Sequence, residues 1–400
     1  MSSALPLAPA RADDRGRRGL LARPWVRVLG VYALSRAYSS LLLGGMFLLA
    51  NALQWPFASV RSDATFFTFS GSWDAWFYRS IAEHGYPAVL PVDDAGHVLP
   101  NSWAFLPVFP MLERAVAGLT GVTTYTAGMI VATAAGGGAA IVLERLLAAR
   151  IGEGRALWTV ALFVFGPLGF LLQVAYAESV FLLLVFAALL AMQRQRYLGV
   201  IPLAILAAFT RPGAIAIPAA VGLQLAVQWF RDRRAPRGVG RAIGAVLVTS
   251  AACLAWPLVA DAVTGQSGAY LHTELAWWTG WVGRPDFIPF TPWFLIASRW
   301  LGPPGVVLAL VLATLFVLWI VRASRRELGT PIRAYSLAHL LYLAAVFLPQ
   351  FSLPRLLMPL APLLGASTFT ATTARARRWL LCAAASQPAG VVLLWFFSYP

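Results

Sequence analysis

Apolar runs long enough to cross a bilayer recur along this chain from Val28 to the carboxy-terminal end, and no other feature constrains the fold as strongly. About 20 apolar residues span the hydrocarbon core as an α-helix, which satisfies its own backbone hydrogen bonds where no water can. Of the 400 residues, 59% are hydrophobic and 12% charged. A soluble domain carries roughly 25% charged residues. The sequence therefore predicts an all-α polytopic membrane protein.

The net charge of +15 does not point to nucleic acid. Every basic residue is Arg, which fits the codon bias of a GC-rich genome, and most stand in short clusters between apolar runs. Such clusters mark cytoplasmic loops. Cys253 and Cys382 fall inside apolar runs and read as small packing residues, not as a disulfide or a metal site.

Residues 1–24, rich in Arg, Ala, Pro and Asp, read as a disordered cytoplasmic tail, and 25–400 as one transmembrane domain. Spans are expected at about 28–51, 125–144, 156–172, 178–193, 197–210, 213–230, 242–262, 303–321, 334–349, 356–372 and 379–397, eleven in all. With the amino terminus inside, this count puts every multi-Arg cluster on the cytoplasmic side. Arg36, within the first span, reads as a snorkelling or bundle-pairing residue, or as one near substrate. Gly136-Gly137-Gly138 lies inside a span, where small residues let helices approach closely.

Two long extracytoplasmic loops follow from the same count, 52–124 and 263–302. The first carries mainly acidic charge and should contain juxtamembrane helices. One is expected over 73–84, opened by Ser72 as N-cap with Asp74 in its first turn and stopped at Gly85. Another, the Pro-interrupted apolar run 103–119, reads as interfacial or re-entrant.

The polar residues that do not belong to cytoplasmic loops collect at one level, the outer membrane face. They are Asp74, Glu83 and His84 in the first loop, Tyr176 and Glu178 between the third and fourth spans, Arg211 and Arg355 at two further turns, and His272, Glu274, Arg284 and Asp286 in the second loop. Carboxylates and guanidiniums beside Trp and Tyr at the lipid–water boundary suit a substrate with an anionic head and an apolar tail. A polyprenyl-phosphate sugar is one. Its transfer needs a carboxylate to take the acceptor's proton and cations to stabilise the departing phosphate, for which the Arg fork is well shaped. Each residue also has a structural reading: Asp74 and Glu178 as helix caps, Glu83 and His84 as solvated groups at a helix end, Arg211 and Arg355 as partners of terminal carbonyls, the loop Trp residues as an interfacial belt. Nothing resembles the Asp-x-Asp metal site of nucleotide-sugar enzymes, and the adjacent Asp93-Asp94 reads as a solvated loop pair, so no metal ligand is assigned and the lipid-linked sugar enters as co-substrate, not as cofactor.

Several of these stretches are similar to a known family. WDAWFYRSIAEHGY (73–86) followed by AFLPVFP (104–110) resembles the signature of the PIG-V family, of GPI mannosyltransferase 2 type, and its bacterial relatives. AYAESVF (175–181) resembles that family's YSESLF, TRPG (210–213) its RS/RP-x-G turn, and SRAY (35–38) the SR-x-x of bacterial members. SLPRLLMPLAPLL (352–364) is similar to the R-x-x-x-P-x-x-P helix common across GT-C enzymes. Two departures touch the acceptor pocket: AFFP reads AFLP, and YSES reads YAES, which removes a hydroxyl beside Glu178.

The resemblance implies a GT-C glycosyltransferase fold, a polyprenyl-phosphate-mannose donor, inversion at the sugar carbon, and an acidic catalytic residue in the first outer loop, here Asp74. The expectation is thus a multi-pass mannosyltransferase of a bacterial plasma membrane, with a cytoplasmic amino terminus and an extracytoplasmic active site. Glu83 and His84 would support Asp74, Arg211 and Arg355 would hold the lipid phosphate, and Tyr176, Glu178, Trp73 and Tyr78 would line the substrate pocket. The acceptor would be a cell-envelope glycolipid, glycan or protein. The rival readings are the same fold with arabinose, glucose or galactofuranose, a polyprenyl-phosphate or lipid flippase, and a non-catalytic subunit of a glycosylation complex.

Overall fold

The computed structural model describes residues 23–55, 65–233, 238–323 and 327–398. Most of the expected tail 1–24, and Arg61, Asp63, Arg234, Arg325 and Arg326, lie outside them. Among the described residues the regular structure is helical, with one isolated bridge between Val92 and Val98.

The main helices in chain order are α1 Pro24–Ala52, α2 Asp74–His84, α3 Val108–Thr120, α4 Thr124–Ile151, α5 Glu153–Val164, α6 Glu178–Gln193, α7 Tyr197–Ala208, α8 Ala216–Asp232, α9 Val239–Thr264, α10 Ala269–Ala276, α11 Pro292–Ala323, α12 Thr330–Val346 and α13 Thr373–Val391. Six helical segments among them are long and apolar enough to cross a membrane, and α6 and α7 are shorter apolar helices. The protein is a multi-pass membrane protein whose packed centre is α4 against α6, with α7, α8 and α12 around them.

Each expected span corresponds to a helical segment, but two are not single helices. The run 156–172 is α5 followed by a break and a 3-10 turn at Gly169–Leu172. The break falls at Gly166-Pro167, where proline has no N–H to continue the ladder. The run 356–372 is a chain of short turns, Leu353–Leu356, Met358–Gly365 and Ser367–Thr370, because Pro354, Pro359 and Pro362 remove donors in quick succession. The stretch 263–302, expected as a loop, is largely helical: α10, a turn at Thr279–Val282, and the first part of α11 up to a kink at Gly302 (φ 61°, ψ −154°) before Pro303 and Pro304.

Arg36 explains how the break in α5 is tolerated. It is buried on α1 and donates to the carbonyls of Val164 (3.3 Å) and Gly169 (2.7 Å) and to the Gln173 side chain (3.2 Å). Its charge satisfies backbone that the broken helix leaves unpaired, which is the bundle-pairing reading. Tyr32, one turn earlier, donates to the Thr133 and Leu172 carbonyls, and its ring lies 5.0 Å from the Arg36 guanidinium.

Arg27 at the start of α1 pairs with Glu153 at the start of α5 (2.7 Å). Arg155 pairs with Glu327 beside α12 (2.6 Å) and donates to the Gly365 carbonyl (3.0 Å). These Arg-bearing connections therefore share one end of the bundle. At the other end α2 and α3 pack on α4, and α10 packs on α9.

Candidate active site

Trp73 brings Asp74 to its place. It has a positive φ (58°), uncommon for a bulky residue, and its indole donates to the Trp395 carbonyl at 2.8 Å. The chain turns sharply there and α2 begins at Asp74. Ser72 is not the N-cap: its hydroxyl is committed to the Phe69 carbonyl at 2.9 Å, and α2 has no side-chain cap. The helix stops at Gly85 (φ 83°), as its sequence predicts. Asp74 sits in the favourable field of a helix amino terminus, and its own N–H donates to the Tyr176 hydroxyl at 3.2 Å.

Three further segments converge on Asp74. The tightly turned link after Gly169–Leu172 carries Tyr176, fully buried, and delivers Glu178 as the first residue of α6. Arg211 is extended (φ −154°, ψ 145°), the conformation that a following proline imposes, and so projects from the joint between α7 and α8. Arg355 lies on the turn Leu353–Leu356. Arg355 donates to Asp74 at 2.5 Å, lies 3.4 Å from Glu178, and stacks over the Tyr176 ring with 5.4 Å to its centroid. Arg211 pairs with the same Glu178 oxygen.

The result is a chain Asp74–Arg355–Glu178–Arg211 of two anions and two cations, none with more than 14% of its side chain exposed. Burial works against the charge of Arg355, but the negative charges of Asp74 and Glu178 outweigh it and hold the guanidinium protonated. Two polar atoms of the chain, Arg355 Nε and Glu178 Oε2, are buried without a hydrogen-bond partner among the described residues. One is a donor and the other an acceptor.

This charged cluster forms one end of a cavity of about 650 Å³ whose walls are mostly apolar and aromatic. Trp73, Phe77, Tyr78, Phe105 and Trp277 line one side, with Phe77 stacked on Phe105 at 4.6 Å and edge-on to Trp277 at 5.5 Å. Tyr78, one turn after Asp74, is held edge-on by Phe105 and Phe109. Cys253, Leu254, Trp256 and Pro257 of α9 and Val346 and Phe347 at the end of α12 continue the apolar wall. The lining also includes Tyr270 and Glu274 of α10 and His339 and Tyr342 of α12. Burial pushes the Glu274 carboxyl up to about 7, against its bond to Tyr270 and the charge of Arg211.

The structure thus brings together Trp73, Asp74, Tyr78, Tyr176, Glu178, Arg211 and Arg355. It does not bring Glu83 and His84 to them. Both are exposed at the far end of α2 and do not line the cavity. Nine residues of helix put Glu83 roughly 14 Å along the axis from Asp74. Glu83 accepts instead from Arg79 (2.9 Å) and Thr124 (2.8 Å), closing α2 onto the start of α4. His339 and Tyr342 were missed by sequence reasoning because they lie in a span. The available signal was Tyr335, His339 and Tyr342 at helical spacing, a polar aromatic stripe on an apolar helix.

No family model and no curated protein matches the chain. Among solved structures, the chain is similar to ArnT from Cupriavidus metallidurans bound to undecaprenyl phosphate, with a TM-score of 0.50 and 14% identity over 94% of this chain and 64% of that one. The apo crystal structure of the same protein gives a TM-score of 0.41 and 12% identity over 80% and 57%. The chain therefore spans about 64% of the length of ArnT in the first comparison. The likeness is one of architecture: an all-α, multi-pass membrane protein with the GT-C fold.

Proposed function

We propose that this protein is an integral-membrane glycosyltransferase that moves mannose from a polyprenyl-phosphate donor to a cell-envelope glycolipid, glycan or protein, on the extracytoplasmic face and with inversion. The observation that carries the reading is the meeting of Asp74 with Arg355, Glu178 and Arg211 at the polar end of a large apolar cavity. An anionic head beside the guanidiniums and an isoprenoid tail along the apolar wall match that division. ArnT, which shares the fold, was crystallised with undecaprenyl phosphate, and this supports a lipid carrier of that class.

In the reaction, the acceptor hydroxyl gives its proton to the Asp74 carboxylate as its oxygen bonds to the sugar carbon. The bond from that carbon to the phosphate oxygen breaks, and its electron pair leaves on the lipid phosphate. Arg211 and Arg355 stabilise the developing charge with paired N–H donors, and the unpartnered Arg355 N–H is a further donor for a phosphate oxygen. Tyr176 fixes Asp74 through its backbone, and Glu178 holds the two guanidiniums side by side. Glu83 and His84 are given no part in the step.

The test uses purified protein in detergent with radiolabelled polyprenyl-phosphate mannose and a membrane-lipid extract, wild type beside Asp74→Asn. Label should pass to a new product with wild type only. No transfer by a folded wild-type protein, or equal transfer by both, overturns the proposal.

A further inference from the structure

His339 is 2% exposed and lines the cavity. Its Nε2 lies 2.8 Å from the Leu356 carbonyl oxygen. A carbonyl can only accept, so Nε2 carries the hydrogen, and in the uncharged ring Nδ1 is an acceptor. That Nδ1 is buried and has no partner among the described residues. A buried acceptor left without a donor is costly, so a donor supplied by a ligand is worth more here than at a wet surface.

The position of the ring says which part of a ligand it meets. Gly213 stands two residues after Arg211, and a Cβ there would lie 3.3 Å from His339 Cε1 and 3.6 Å from Tyr342 Cε1. The ring is therefore packed against the turn that presents Arg211. Through Leu356 it also grips the turn that presents Arg355. His339 thus packs on both turns that carry the guanidiniums and lines the same cavity, where a group joined by one oxygen to a phosphate held by Arg211 and Arg355 would lie. The surrounding groups, Tyr270, Glu274 and Tyr342, are hydroxyls and a carboxyl. Glu274, pushed up to about 7, carries a proton for part of the time near neutral pH and can then donate as well as accept. A set of neutral donors and acceptors beside a cationic pair fits a polyol attached to a phosphate.

We propose that this wall is the subsite for the hydroxyls of the donor's sugar, with His339 Nδ1 as its fixed acceptor. The inference rests on the lipid-linked donor reading above and adds a specificity residue to it.

Two isosteres separate recognition from positioning. His339→Gln keeps a donor where Nε2 stands and removes the Nδ1 acceptor. His339→Asn keeps an acceptor where Nδ1 stands and releases Leu356. The probes are radiolabelled undecaprenyl phosphate and undecaprenyl-phosphate mannose, added to the full chain in detergent. Binding is read as label retained by the purified chain at equilibrium. His339→Gln should weaken the mannose-bearing lipid about five- to tenfold, one neutral hydrogen bond, and leave undecaprenyl phosphate unchanged. His339→Asn should weaken both, because the Arg355 turn is loosened. If His339→Gln weakens both lipids equally, or neither, His339 is a structural residue and the subsite is overturned. If wild type binds neither lipid, the donor reading itself falls and takes the subsite with it, an outcome visible without any variant.

Discussion

Arg355 donates to Asp74 at 2.5 Å across 281 positions of sequence, and the same guanidinium lies 3.4 Å from Glu178. The candidate base is thus paired before any substrate arrives. A phosphate that draws Arg355 toward itself would free an oxygen of Asp74 to meet an acceptor hydroxyl.

Asp74→Asn should abolish transfer while leaving the fold intact. General-base catalysis contributes about 10²–10⁴-fold, and a loss in that range is expected in initial rates with polyprenyl-phosphate mannose. The thermal midpoint should fall as well, since Glu178 is then left to balance both Arg355 and Arg211.

Arg355→Gln should be harmful in a different way. It leaves Asp74 and Glu178 with side chains only 14% and 3% exposed, and Asp74 without its cation. Breaking a buried pair from one side costs about 3 kcal/mol. The thermal midpoint in detergent should drop clearly for Arg355→Gln and less for Arg355→Lys. Equal midpoints for wild type and the Gln variant would contradict the buried pairing.

Glu274 predicts a pH dependence of stability. Burial raises its carboxyl from 4.5 to about 7 in the folded protein. Below the unfolded value both states are protonated and nothing is lost. As pH rises through this window the unfolded chain releases its proton first, so stability falls, and the fall is complete above the folded value. Comparing thermal midpoints at about pH 5 and pH 8, wild type should lose ground relative to Glu274→Gln at the higher pH. A constant difference between the two would show that Glu274 does not titrate in this way.

Gly136→Ala should loosen the bundle centre. Its Cβ would press on the Tyr32 hydroxyl and lie 3.1 Å from the Leu172 carbonyl. That hydroxyl binds Thr133 and Leu172, one turn from Arg36. Overpacking of this kind costs about 1–3 kcal/mol, measurable as a lower thermal midpoint, whereas Gly222→Ala meets no atom within 4 Å and should be neutral.

The spans, the stop at Gly85 and the residues Asp74, Glu178, Arg211 and Arg355 could be read from the chain because each rests on local chemistry. Hydrophobic length, glycine and proline punctuation, and charges stranded at the end of an apolar run are all visible in one dimension. The pairing of Asp74 with Arg355 is not, since it depends on how α2, α6 and the 353–365 turns pack. Glu83 and His84 share a motif with Asp74, but helix rise carries them away from it, a distance that nine or ten helical steps already implied. Ser72 has the right side chain for a cap, yet Phe69 claims its hydroxyl. His339 and Tyr342 were hidden by their apolar setting, and the 356–372 run by reading hydrophobic length without counting its prolines.

The ion-pair chain also bears on how the protein is made. Its members enter the membrane in the order Asp74, Glu178, Arg211, Arg355. A nascent chain inserted only as far as α12 holds two carboxylates against one guanidinium, an excess negative charge in a closing apolar space. The last cation arrives 281 positions after the first carboxylate, so the cluster reaches charge neutrality only once the turn Leu353–Leu356 is in place.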